Sequence, residues 1–237
     1  MAHSILFALA AALANIIGGL IVTSQDWARR SLRYFIALGA GFMLGTVFLE
    51  MAPVSFELTR SAPALILVGY LIVHLFEHAF ASHLHFGEET HHDEMTNPVV
   101  GISALVGLLV HTFFDGVAIG AGFMISQSMG FLIFLAVFLH KIPDGFTVSS
   151  IFVSSGHSGS QALAAATALG VSTIIGVFAV HLVGGWVAYA LPISTGSTLY
   201  VAATDLMPEA NREKGVDMAL LVFAGMGLFL LVRMAAQ

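Results

Sequence analysis

The 237-residue sequence has no cysteine and very little charge. Without cysteine there are no disulfides and no thiolate metal sites. Charged residues make up 9% of the chain, against roughly 25% in soluble domains. So few charges cannot cover a water-exposed surface. A basic excess is also lacking. The net charge is −6, which gives no footing on nucleic acid, where affinity rests on lysine and arginine.

What remains is 58% hydrophobic, with a mean hydropathy of +0.93. Lipid is the natural solvent for such a surface, and a helix needs about 20 apolar residues to cross it. The spacing of apolar runs predicts eight helices, at 4–24, 32–55, 62–86, 98–124, 128–153, 159–187, 190–208 and 215–235. The seventh is polar and rich in glycine, serine and threonine. Such a helix packs closely inside a bundle. No basic residue precedes the first apolar run, so it reads as a retained span rather than a secretory signal. One transmembrane domain over residues 1–237 is the expectation.

Orientation follows from lysine and arginine. Arg29, Arg30 and Arg33 lie between spans one and two, and Arg212 and Lys214 between spans seven and eight. Only Arg60 and Arg233 fall on the other side. Both termini are therefore expected outside. The long loop after span three, residues 83–97, is expected inside. It carries His83, His85, His91 and His92 among Glu88, Glu89, Asp93 and Glu94. That clustering suits weak metal capture as well as it suits a solvated loop.

Two internal repeats stand out. GFMLGTVFLEMAP (Gly41 to Pro53) aligns without gaps on GSTLYVAATDLMP (Gly196 to Pro208), which sets Glu50 against Asp205. HTFFDG (His111 to Gly116) aligns on HKIPDG (His140 to Gly145). In each case the two related spans run in opposite directions across the membrane. Inverted repeats of this kind belong to secondary transporters, with the substrate site near the midplane. The expected plan is 3+2+3, in which spans one to three mirror six to eight around a central pair.

That central pair carries the chemistry. His111 and Asp115 share one helix face, and so do His140 and Asp144. Two imidazoles and two carboxylates facing one another suit Zn²⁺, and also Fe²⁺, Mn²⁺, Co²⁺ or Cd²⁺. A buried His–Asp pair can serve as a structural hydrogen bond. Four ionisable groups on adjacent spans are too costly for packing alone, at about 2.5–3 kcal/mol each or more. Lys141 lies about 100° around the helix from His140. Its stem either carries the ammonium to an interface or places it at the site. There it would stand in for a second metal and hold the carboxylates apart, leaving a single-metal site. Pro143 frees a backbone carbonyl, and Gly116, Gly120 and Gly122 permit close helix approach.

Other polar residues within the spans are candidates for a pathway. Glu50 and Asp205 are repeat mates. His74, Glu77 and His78 gather near the inner end of span three, and Glu209 ends span seven. His181 stands alone in span six, where a hydrogen-bonded core role competes with ligation.

HTFFDG, HKIPDG, LEMAP and TDLMPEA together resemble the ZIP (Zrt-/Irt-like) family of metal transporters, and so does the order of parts along the whole chain. The resemblance implies eight helices with both ends outside. It also implies movement of zinc, iron, manganese or cadmium into the cytoplasm, often by a homodimer. The metal is then cargo, no cofactor is implied, and the setting is a multi-pass protein of the cell membrane, of prokaryotic style. By position, His111, Asp115, His140 and Asp144 fall where members place their main ligands, and Asp205 where they carry an acid near the exit. Three departures weaken a second metal site: Thr112 where asparagine is usual, Lys141 where an acid is common, and no span-six acid near Ser172 or Thr173.

Three rival readings follow from the same residues. A cation diffusion facilitator exporter also pairs such motifs, but on about six spans with a soluble C-terminal domain. A metal-dependent intramembrane hydrolase would need a general base and a substrate cleft, and no residue nominates either, so no enzyme is expected. A metal channel would use the same residues as a carrier.

Overall fold

A computed structural model describes residues 1–22, 26–80, 98–211 and 216–236. The histidines of the 83–97 loop, Arg212 and Lys214 lie outside the described residues. Among the described residues, eight helices follow one another. We number them α1 (Ala2–Ile21), α2 (26–58), α3 (Ala62–Phe80), α4 (Pro98–Ile125), α5 (Gln127–Ser154), α6 (Gly159–Leu182), α7 (187–210) and α8 (Val216–Ala236). No strand occurs among the described residues. Every helix but α7 is long and apolar enough to cross a membrane. The protein is an all-α, multi-pass membrane protein.

Local chemistry explains the boundaries. The Ser126 side chain accepts the Met129 N–H and starts α5. A reciprocal capping box of Ser158 and Gln161 starts α6. The sixth span was expected to run to 187. The α-helix instead ends at Leu182, where Gly184 and Gly185 tighten the chain into a short 3₁₀ turn. Helix α5 continues through Pro143.

The outside of the bundle is apolar, and its inside combines apolar clusters with buried polar residues. Leu6, Leu9, Leu13, Ile17 and Leu20 are exposed along one face of α1, and Leu67, Leu71 and Leu75 along α3. These faces meet lipid. Helix α7 is the more polar one because it is the interior element. Ser194, Thr195, Gly196, Ser197 and Thr198 are all buried. The hydroxyls of Thr195 and Thr198 donate to the carbonyls one turn back, which satisfies them without water.

Packing follows a repeated pattern. Helices α1, α4, α5 and α6 pack on one another, while α2 packs on α8 and α3 on α7. The two groups meet through α4–α7, α2–α5 and α3–α4. Glycines set the closest crossings, and they come in matching pairs. A Cβ on Gly116 of α4 would strike the Thr173 carbonyl of α6, and one on Gly145 of α5 would strike the Asn15 carbonyl of α1. Gly41 meets the Val222 carbonyl of α8 as Gly196 meets the Ile66 carbonyl of α3. Gly225 approaches Leu38 of α2 as Gly69 approaches Ile193 of α7. The last pairs align α3 with α8, a relation that carries no motif in the sequence.

The same correspondence reaches the backbone. Helix α2 widens into a π turn at Val47–Met51 and α7 at Val201–Leu206. The Ala52 N–H reaches the Val47 carbonyl, and its repeat mate, the Met207 N–H, reaches Ala202. Pro53 and Pro208 each follow one residue later. A proline cannot donate to the carbonyl four residues back, and a wider turn takes up the slack. Glu50 and Asp205 sit inside these turns, in a geometry that recurs at functional sites.

Candidate metal centre

The close approach of α4 and α5 brings all four central residues together. His111, Asp115, His140 and Asp144 are buried, and one donor atom from each lies within 4.8 Å of the others. The pairs cross between helices. His111 Nε2 stands 3.2 Å from Asp144 Oδ2, and His140 Nε2 stands 3.2 Å from Asp115 Oδ2. His140 Nε2 is also 3.7 Å from Asp144 Oδ2.

Neighbouring groups orient these donors. His140 Nδ1–H donates to the Ala136 carbonyl at 3.0 Å. With Nδ1 committed to that carbonyl, Nε2 is the nitrogen turned toward the cluster, as is usual for metal-binding histidine. His111 has no hydrogen-bond partner at Nδ1, although Glu77 Oε1 of α3 stands 3.7 Å away. Asp115 keeps Oδ1 buried without a partner.

Lys141 is fully buried. Its Nζ donates to Asp115 Oδ2 at 2.5 Å and to Asp144 Oδ2 at 3.2 Å. The ammonium therefore sits between the two carboxylates and does not extend to an interface. Two aspartates and one lysine leave the cluster at a formal −1 with neutral imidazoles, so a dication takes it to +1. Nitrogen and oxygen donors with no sulfur suit zinc and metals of similar hardness.

The remaining residues named from the sequence divide. Glu77 and Asp205 join the centre: Asp205 lies within Coulombic range of Glu77, His111 and Asp144. Tyr200, which the sequence did not nominate, meets Tyr70 edge to face, and Tyr70 Oη contacts Thr204 Oγ1 at 3.2 Å. His74 and His78 are exposed on α3 with ring centroids 4.0 Å apart. Glu209 lines a cavity of about 380 Å³ with Arg33, Phe146 and Ser150. Glu50 stands apart from the cluster, its Oε2 3.0 Å from Arg233 Nε.

Three hydroxyls near the centre are already engaged. Thr112 and Ser172 both donate to the Leu109 carbonyl, and Thr173 donates to Leu169. His181 bonds Val177 through Nδ1 and faces Ser4 Oγ at 3.5 Å through Nε2. Asn15, buried where α1 crosses α5, has an amide without a partner. Its counterpart across the repeat is Thr173, a relation visible only once Gly145 and Gly116 are seen against their neighbours.

Comparison with known proteins gives one family. The family described as ZIP Zinc transporter matches residues 87–233. The human zinc transporter SLC39A7 is 33% identical over 153 residues, covering 58% of this chain and 32% of the relative. Zinc transporter ZIP13 of Pongo abelii is 26% identical over 227 residues, covering 84% of this chain and 66% of the relative. Zinc transporter ZIP9 of Micropogonias undulatus is 29% identical over 162 residues, covering 62% and 50%. The chain spans about a third of the length of the human relative it matches.

Proposed function

The chain belongs to the ZIP zinc transporter family, and on that premise we propose that it carries a divalent metal ion of the zinc type across the cell membrane into the cytoplasm. Iron, manganese and cadmium fit the same donors. The observation that carries this reading is the cluster itself: two imidazoles and two carboxylates, all buried, converging between α4 and α5 in a membrane-embedded bundle. A cation offsets the cost of burying those carboxylates, and Lys141 supplies one between transport events.

The mechanism is alternating access. Matched glycine crossings and matched π turns support a 3+2+3 inverted repeat. Helices α1, α4, α5 and α6 form one body, and α2, α3, α7 and α8 the frame against which it moves. An arriving dication displaces the Lys141 ammonium and takes its place between Asp115 and Asp144. His111 and His140 complete the shell. The returning ammonium then competes for the carboxylates and speeds release. Glu77 and Asp205 receive the ion on the α3–α7 side, with His74 and His78 beyond them. One metal binds at a time, because the displaced Lys141 ammonium stays close enough to repel a second dication. Both termini outside, capture by the 83–97 loop and assembly as a homodimer belong to the same reading.

The test is uptake of Zn²⁺ and Cd²⁺ into liposomes holding the purified protein. Saturable uptake that Asp144→Ala abolishes is the expected result. Folded protein that admits neither ion above the level of empty liposomes would overturn the proposal.

A further inference from the structure

One pair of positions related by the repeat is mismatched in charge. On the α3–α7 side, Asp205 lies within Coulombic range of Glu77, and Glu77 Oε1 is 3.7 Å from His111 Nδ1. Two acids flank the central donors there. The alignment of Gly41 with Gly196 carries Glu50 onto Asp205. The crossings of Gly69 and Gly225 carry Glu77 onto Arg233. On the α2–α8 side, then, one acid faces a guanidinium, with Arg233 Nε 3.0 Å from Glu50 Oε2. The backbones of the two sides are otherwise alike, with the same π turn, the same following proline and the same glycine–carbonyl crossings. The difference lies in the side chains.

The electrostatic consequence is direct. A cation approaching through the α3–α7 side meets two carboxylates. One approaching through the α2–α8 side meets a carboxylate that already holds a cation. Arg233 lies in the last turn of α8, where a basic side chain commonly extends to the interface. Here it turns back instead toward an acid less exposed than itself, 16% against 34%.

We propose that Arg233 is a tethered competitor for Glu50, that their ion pair closes the α2–α8 end to divalent cations, and that Glu50 takes the metal from that end when the pair separates. The proposal rests on the transport reading above and adds to it a gate and an ion-receiving residue. Glu50 and Arg233 act on passage and not on the central shell. The pair is only partly buried, and Arg233→Lys and the charge exchange below keep its charges, so they separate a gating effect from loss of the bundle.

The experiment exploits the absence of cysteine. Thr46 is fully buried on α2, four residues before Glu50 and on the same face. A Thr46→Cys protein in liposomes carries one thiol, and its reaction with a small charged thiol reagent added to the outer solution reports access past Glu50. With Arg233 intact the thiol reacts slowly. Arg233→Ala accelerates labelling by about tenfold, within the usual range of coupling between two sites. Arg233→Lys keeps the thiol protected, and the exchange Glu50→Arg with Arg233→Glu restores protection. In Zn²⁺ uptake, Glu50→Gln raises KM. Equal labelling rates with and without Arg233, or an exchange variant as reactive as Arg233→Ala, would overturn the proposal. Labelling is read without metal, so loss of uptake in every protein, wild type included, would count against the transport reading alone.

Discussion

Replacing Lys141 by methionine keeps an unbranched side chain one atom shorter and removes its charge. Nζ lies 2.5 and 3.2 Å from the Oδ2 atoms of Asp115 and Asp144. A dication on those oxygens therefore stands within about 5 Å of the ammonium. At that separation and an effective dielectric near 20, a unit charge repels a double charge by roughly 7 kcal/mol. The lysine can swing aside and lose its own contacts, which offsets much of this. A net gain of about 2 kcal/mol in metal binding remains, or roughly thirtyfold in Kd. In the metal-free protein the same change leaves two buried carboxylates without their cation, which costs about 3–5 kcal/mol. Zn²⁺ titration calorimetry in detergent reads the first effect, and thermal unfolding with and without Zn²⁺ reads the second. Lys141→Met should bind more tightly, unfold earlier without metal, and gain more from Zn²⁺ than wild type. Its maximal uptake rate should fall, because no ammonium returns to expel the ion. Unchanged or weaker affinity in a folded Lys141→Met protein would refute the role given to the lysine.

Four further outcomes follow. Ligation needs neutral imidazole and ionised carboxylate, so metal binding releases protons, and uptake at fixed Zn²⁺ should fall steadily as the pH is lowered from about 8 to about 5.5; a flat profile would argue against histidine ligands. Glu77→Gln should slow uptake severalfold while leaving calorimetric stoichiometry unchanged, because Glu77 touches His111 from α3 without belonging to the central four. Gly116→Ala and Gly145→Ala each drive a methyl into a facing carbonyl, and each should destabilise the bundle by about 1–3 kcal/mol in thermal unfolding. Ala at Gly159, whose Cβ would meet open space, should be nearly silent in the same assay.

The sequence made the centre legible because its signal is local. His and Asp four residues apart, twice, on adjacent apolar spans, leave few alternatives once the helices pack, and Gly116 and Gly145 mark how they do. The small hydroxylic residues of α7 marked it as an interior helix, and it is one. Lys141 posed a choice between interface and site that only side-chain placement resolves. What stayed hidden depends on which helix face meets which. Glu77 read as part of an inner-end cluster, but its contact with His111 is set by the α3–α4 crossing. Glu50 read as a pathway acid, but the sequence did not show that Arg233 pairs with it. That pairing rests on the match of α3 to α8, whose apolar residues resemble any span and whose register shows only through Gly69 and Gly225. The π turns were hidden for a related reason: Pro53 and Pro208 flag a missing donor, and the helix decides by packing how to absorb it.

The central claim is that one divalent ion binds between α4 and α5. X-ray absorption at the zinc edge, on purified protein loaded with one equivalent of Zn²⁺, tests it most directly. The account predicts a shell of nitrogen and oxygen with two imidazoles and no sulfur, one imidazole being lost in His111→Ala and one in His140→Ala. A sulfur neighbour from methionine, or a spectrum that neither substitution alters, would contradict it.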